Sequence, residues 1–349
     1  MLYKLLKHGN KNQVVVVSMM SKGFYSQKIN DLGIQVVHLN VDKSKNILTI
    51  WKTLNYHFKK SDIIQSWMYH SDFISFFMGK IVLRKKVIWG VRRSYLHREL
   101  MKSTTFYLAK INSYFSRYID RVVSCSIVGK ENHIAFGYSM KNMQVIANGF
   151  DVNTSDKNDF FRQEMNINTN TKILLNVARW EALKDHQTLL RASKKLKDKG
   201  INFNLVLVGK NMDLDNLDLI KEIRINDLED CITLLGERDD IPYLMKASDF
   251  YISSSISEGF PNVIGEAMAS SLYCIATDAG DTKYILGGNG SVVTPGNPVM
   301  LANEIFRATM LDDIEKQRLE SLALSRVKTE FSIMKIVSEY EKLYENLMR

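Results

Sequence analysis

Glu258 and Glu266 lie eight residues apart in the run SSSISEGFPNVIGEAMASS (253–271), directly after the strand-like DFYISSS. Small polar residues end that strand, and Gly259 permits a sharp turn. Pro261 suits the first turn of a helix, where its missing N–H costs nothing. The helix then runs through Asn262, Val263, Ile264 and Glu266. Backbone N–H groups at such a start lack intrahelical partners and form an anion site suited to phosphate. Glu258 falls in the turn above that site. Glu266 falls about one helical turn in, with its side chain leaning back toward the N-terminus. Two acceptor-only carboxylates beside a phosphate cradle suit a ligand bearing both phosphate and many hydroxyls, and a nucleotide sugar is such a ligand.

Other residues carry weaker signals. Arg179 follows the strand-like NVA and offers a planar fork for phosphate, and Lys184 offers a point charge. Gly209 closes the strand-like FNLVLVG, and Arg238 follows the strand-like CITLLG. His70, in SWMYHSD, is read as ending a strand of the first half, where it could move a proton or bind a sugar hydroxyl. Arg92 and Arg93 end the following strand and suit an anionic acceptor. Asp213-Leu214-Asp215 mimics an Asp-x-Asp metal clamp, but a helix N-cap with acids near the dipole explains it as well. No G-x-G-x-x-G follows any strand, which disfavours a nicotinamide enzyme.

The sequence E-G-F-P-N-V-I-G-E resembles the Glu, seven residues, Glu signature of the retaining glycosyltransferases of family 4. The likeness continues through GEAM and through Thr277, Asp278, Gly280 and Asp281. Upstream it takes in LLGERDDIPYLMKASD (234–249) and NVARWEALKDH (176–186). It is strong over 172–345 and looser over 1–150. The resemblance implies two Rossmann-like α/β domains facing a cleft, the GT-B fold. It implies that Arg179 and Lys184 grip the donor diphosphate with the backbone of Gly259, Phe260, Pro261, Asn262 and Val263. Glu266 would then hold the ribose, Glu258 a donor-sugar hydroxyl at the catalytic centre, and Gly209 and Arg238 would lie near the base. The Arg/Lys pair and the helix dipole neutralise the phosphates, so no metal or other cofactor is required. The implied partners are a nucleotide sugar, UDP-linked by default, and a glycan or polyprenyl-diphosphate-linked acceptor. The most similar-looking members build bacterial O-antigen, capsule or exopolysaccharide repeats.

The elements that must position these residues are legible as twelve short β-branched runs alternating with amphipathic stretches. In the first half they are 14–19, 34–40, 62–67, 86–91, 121–126 and 143–148. In the second they are 172–178, 203–209, 231–236, 249–255, 273–278 and 290–295. Such alternation implies parallel sheets covered by helices on both faces, and twelve strands exceed one comfortable open sheet. The division predicted is 1–150 for the acceptor side, 151–330 for the donor side, and 331–349 as a helix crossing back to the first domain. The turn signal Asn148-Gly149 before Asp151 marks the junction. Members of the resembled family open with a strand and a glycine-rich loop. This chain opens at LYKLLKHGN, inside the helix that should follow, so the first domain is expected to lack both. That expectation admits an alternative, a catalytically inactive paralogue that still binds nucleotide.

The net charge of +9 and pI near 9.2 admit nucleic acid or an anionic membrane surface as partner. No nucleic-acid motif accompanies the charge. Basic clusters at 84–86, 91–102 and Arg117/Arg121 are interleaved with Trp89, Tyr95 and Phe106, which favours lipid headgroups. The apolar stretch FISFFMGKIVL (73–83) is half the length of a spanning helix and contains Lys80. No secretory leader is evident, and Cys125, Cys231 and Cys274 have neither metal spacing nor an even count. The expected location is the cytoplasm, peripherally on the inner face of the membrane.

Overall fold

The computed structural model describes residues 1–10, 14–43, 46–152 and 160–349. The chain divides into two compact units, Met1–Gly149 with Ile333–Arg349, and Phe150–Ser332. Every one of the twelve β-branched runs contains a strand.

In the first unit these are β1 (Val15–Ser18), β2 (Gln35–His38), β3 (Ile63–Trp67), β4 (Lys86–Val91), β5 (Arg121–Ser124) and β6 (Met143–Val145). They form two parallel sheets, β1-β2 and β3-β4-β5-β6, in place of the single sheet expected. The packing follows that split. Leu6, Ile29 and Ile34 form one buried cluster, while Ile64, Val87, Trp89 and Val122 belong to another. β4 is buried at every position from Val87 to Val91, as a strand covered on both faces must be. The chain opens on the helix Leu2–His8, and the terminal segment is the helix Ile333–Met348, which belongs to this unit.

The second unit holds β7 (Lys172–Val177), β8 (Phe203–Val208), β9 (Ile232–Leu234), β10 (Phe250–Ser253), β11 (Tyr273–Thr277) and β12 (Ser291–Val293). All are parallel, in the order β12-β11-β10-β7-β8-β9. The order reverses beside β7 and β10, and in open α/β sheets ligands bind outside the carboxyl ends of strands at such a switch point. The helix His186–Asp198 seals the sheet with Leu189, Leu190, Ala192 and Leu196, spaced to share one face. Each fully buried Leu of that stripe stabilises the unit by roughly 1.5–3 kcal/mol.

Candidate functional site

The loops that leave β7 and β10 are stitched together at the switch point. Ile256 N–H donates to the Leu183 carbonyl at 2.9 Å, and the Ser254 hydroxyl to the Lys184 carbonyl at 2.8 Å. The Thr277 hydroxyl, at the end of β11, donates to the Ser255 carbonyl at 2.6 Å. These bonds bring Lys184 and Glu258 into contact across 74 residues of sequence. Lys184 Nζ donates to Glu258 Oε1 at 2.5 Å, and Ser255 Oγ donates to the same oxygen at 2.7 Å. Both side chains are largely but not wholly covered, so the ion pair faces a partly desolvated site.

The loop after β11 fixes the turn that carries Glu258. Gly280 adopts φ +58°, and a Cβ there would stand 2.4 Å from the Gly259 carbonyl oxygen and 2.5 Å from that of Glu258. Asp281 N–H donates to the Gly259 carbonyl at 2.9 Å. Beyond the turn the helix Asn262–Ala269 begins without a side-chain cap. Pro261 is its N-cap, one position earlier than expected, a difference within the ordinary fraying of helix ends. The helix is seated by Gly265, whose Cβ would fall 2.1 Å from the Phe150 ring. Phe150 in turn stacks on Phe260 at 6.1 Å between centroids. Phe260 is therefore buried and packs the base of the turn.

Glu266 is half-buried one turn into the helix. It and Glu258 both act on Tyr251, a fully buried residue of β10 that the sequence reading missed. Burial first, then Glu258, Cys274 and Glu266 push its phenol well above the usual range. Both carboxylates thus lie near Tyr251. The signal that could have found it is a polar-tipped ring within the apolar run FYI, seven residues before Glu258.

Arg179 lies two residues beyond β7, with its side chain 65% exposed and its Nε donating to Glu181. Glu181 is a second residue the sequence reading passed over. Gly209, at φ +142°, allows the backbone after β8 to approach the Arg179 loop, since a Cβ would meet the Ala178 carbonyl oxygen at 2.3 Å. Trp180 N–H donates to the Lys210 carbonyl at 2.9 Å across the same approach, and the Trp180 ring stacks on buried His186. Burial, then the nearby Lys184 charge, pulls the His186 imidazole down to about 4, so it is neutral at pH 7. The Arg238 fork is taken by Asp240, with bonds of 2.8 and 2.5 Å. Asp213 accepts the Asp215 N–H within a turn, and the cap of the following helix is Asn216, not an aspartate. Among the described residues no group of three His, Cys, Asp or Glu side chains is disposed to hold a metal.

The first-unit candidates require correction. His70 does not end a strand: β3 stops at Trp67, Met68 turns at φ +76°, and His70 is an exposed residue in the first turn of the helix Tyr69–Ile74. Arg92 is a structural clamp. Its guanidinium donates to Asn148 Oδ1 and to Tyr340 Oη, each at 2.8 Å, and lies 4.1 Å from the Trp67 ring centroid. Arg93 alone of the pair is exposed. Among the aromatic residues interleaved with the basic clusters, Trp89 is wholly buried in the core, where its indole N–H reaches Ser75 Oγ at 3.1 Å. Tyr95 and Phe106 are half-buried.

Residues 171–310 match the family described as glycosyl transferases group 1. The N-acetyl-alpha-D-glucosaminyl L-malate synthase of Bacillus anthracis is 29% identical over 215 residues, 60% of this chain and 55% of its own. An N-acetylgalactosaminyltransferase of Campylobacter jejuni, named for a diphospho-undecaprenol-linked acceptor, is 30% identical over 212 residues, 58% of this chain and 54% of its own. The chain thus spans about half the length of these two relatives. Among solved structures, HepE of Anabaena in complex with UDP and glucose superposes with a TM-score of 0.84. That superposition takes in 99% of this chain and 95% of HepE at 21% identity. Such a likeness establishes the GT-B fold. With that fold, the match over 171–310 makes the second unit similar to the group 1 glycosyltransferases.

Proposed function

We propose that the protein is a retaining glycosyltransferase that moves a sugar from a nucleotide diphosphate sugar, UDP-linked by default, to a glycan or lipid-carrier-linked acceptor of a bacterial surface polysaccharide. The observation that carries this reading is the meeting of Lys184 and Glu258 beside the uncapped start of the Asn262–Ala269 helix, inside the segment that matches the family. A cation and a helix N-terminus suit a diphosphate, and the carboxylates of Glu258 and Glu266 suit sugar and ribose hydroxyls. As the bond to the diphosphate breaks, charge builds on the leaving oxygen. Arg179 and Lys184, once they exchange Glu181 and Glu258 for the diphosphate, stabilise that charge together with the helix dipole. The acceptor hydroxyl then attacks from the same face of the sugar and passes its proton to the departing phosphate oxygen, so the sugar retains its configuration.

The relatives support the acceptor class: one is named for a diphospho-undecaprenol-linked substrate. No helix among the described residues is long and apolar enough to cross a membrane. In this reading a lipid-linked acceptor is met at the cytoplasmic face of the membrane. The test is a thermal-shift panel of nucleotide sugars followed by donor-consumption assays. A ligand at 100 times its dissociation constant stabilises the fold by about 2.7 kcal/mol. Stabilisation by one nucleotide sugar with turnover supports the reading. Binding without any turnover leaves an inactive nucleotide binder, and no stabilisation by any member defeats both.

A further inference from the structure

Residues 75–121 hold eleven Lys and Arg against Glu99 and Asp120, a net of +9 that equals the net charge of the whole chain. The same segment carries an exposed apolar face. On the helix Ser103–Phe115 and the turn after it, Tyr107, Ile111, Tyr114 and Tyr118 recur at helical spacing and all point outward. Tyr114 is 57% exposed and Tyr118 52%. Beside them runs a π-helix, Ser75–Val82, a rare form frequent at functional sites. Gly79 seats it tightly, since a Cβ there would stand 2.8 Å from Ile64 Cδ1. The outward side carries Phe77, Ile81 and Val82, the last two 56% exposed.

Between the two helices lies an open groove of about 550 Å³, lined by Phe76, Phe77, Lys80, Ile81, Phe115 and Tyr118. Its floor is an aromatic stack, with Phe76 and Phe115 4.4 Å apart and Phe77 5.5 Å from Phe115. Lys80 is neutralised by Asp120 at 2.6 Å, so the groove itself is apolar. Cations rim it and lie on the same rings. Arg117 stands 4.7 Å from the Tyr114 ring centroid and Arg98 5.9 Å from that of Tyr107. Aromatic and aliphatic side chains within a belt of cations are the pattern of a surface seated at the headgroup level of a bilayer. A second copy would bring like charges together. A nucleic acid would use the rings but leave Ile81, Val82 and Ile111 nothing to pack against.

We infer that this face of the first unit docks on an anionic lipid bilayer, with Phe77, Ile81, Val82 and the tyrosine stripe entering the headgroup–acyl boundary and the flanking Lys and Arg meeting lipid phosphates. The inference deepens the reading of a lipid-linked acceptor and rests on it for its purpose. Vesicle binding is measured apart from donor binding, so the two can fail separately. The full chain is sedimented with phosphatidylcholine vesicles with and without phosphatidylglycerol, across a salt series, while UDP binding is followed in parallel. The expected result is association that requires phosphatidylglycerol and weakens with salt. Ile81→Ser with Tyr114→Ser, at unchanged charge, should lower partitioning roughly tenfold. Arg84→Gln, Lys86→Gln and Arg117→Gln together should lower it about as much. UDP binding should be unchanged in both variants.

The three native cysteines are buried, so a fluorophore directed to Ile81→Cys labels one place. It should shift to the blue on anionic vesicles, while one at exposed Leu217→Cys in the second unit should not. Absence of vesicle association at low salt overturns the inference. So does association indifferent to the apolar variant, a silent fluorophore at position 81, or binding to oligonucleotides in place of vesicles.

Discussion

Lys184 and Glu258, from loops 74 residues apart, form an ion pair of 2.5 Å at the start of the helix proposed to receive the donor. Without ligand, Glu258 therefore holds the cation that a diphosphate would need. Glu258→Gln removes that competitor but keeps the side-chain shape and an acceptor for Ser255. It should tighten UDP binding by up to about tenfold and lower turnover with the full donor. Titration calorimetry and a donor assay read the two effects. Weaker UDP binding in a folded Glu258→Gln protein would show that the carboxylate does not compete for Lys184.

Arg179, proposed to grip the donor diphosphate, is exposed and paired only with its neighbour Glu181 among the bonds described. A surface pair of that kind contributes about 0–1 kcal/mol to stability. Arg179→Ala should therefore unfold at nearly the wild-type temperature. It should weaken UDP and GDP by roughly 1.5–3 kcal/mol, the value of a hydrogen bond to a charged group. Unchanged affinity for both nucleotides rules out the diphosphate contact.

Glu266 offers two acceptor oxygens from the second turn of the same helix. Glu266→Ala should cost affinity for UDP, and little for its 2′,3′-dideoxy analogue, because the hydroxyls it would accept from are absent there. Equal losses for the two ligands would place Glu266 away from the ribose.

The elements were legible because a strand buried on both faces leaves a near-continuous apolar run, and KILLNV, FNLVLV and VIWGV are such runs. The partition of the first unit into two sheets was not, since strand composition does not state which neighbour a strand pairs with. The resemblance likewise assigned Lys184 and Glu258 to one donor site but could not show their mutual bond, which depends on hydrogen bonds between loops distant in sequence. His70 was misread because Met68 breaks the strand with a positive φ that no glycine announces. Arg92 was misread for a related reason. Its partners Asn148 and Tyr340 lie 56 and 248 residues away, so an arginine at a strand end looked available when its fork was taken. The exposed aromatic face was hidden because Trp89, the most conspicuous ring beside the basic run, points into the core.

Gly280 makes the turn under Glu258 possible through both its left-handed φ and its close approach to two carbonyl oxygens. Those oxygens are backbone and cannot rotate away, unlike the end of a flexible side chain. Gly280→Ala should cost at least about 2 kcal/mol of stability and weaken donor binding through the displaced turn. Denaturant midpoints together with UDP titration test this. Wild-type values for both would mean that the loop after β11 relaxes without moving Glu258.

His186 ties the same region to pH. Its imidazole is buried against Trp180 and titrates at about 4 in the folded unit, against 6.5 when unfolded. A depressed histidine leaves stability level above about pH 7. As pH falls toward 6.5 and below, the unfolded chain takes a proton that the folded unit refuses until pH 4, so stability drains across that window. The full effect is roughly 3 kcal/mol. A His186→Asn variant lacks the titration, so the stability difference between wild type and variant isolates it from every other ionisable group. That difference should move against the wild type by about this amount between pH 7 and 4, read from urea unfolding. A difference constant over the range would mean that the buried ring is charged or reaches solvent, contrary to its packing under Trp180.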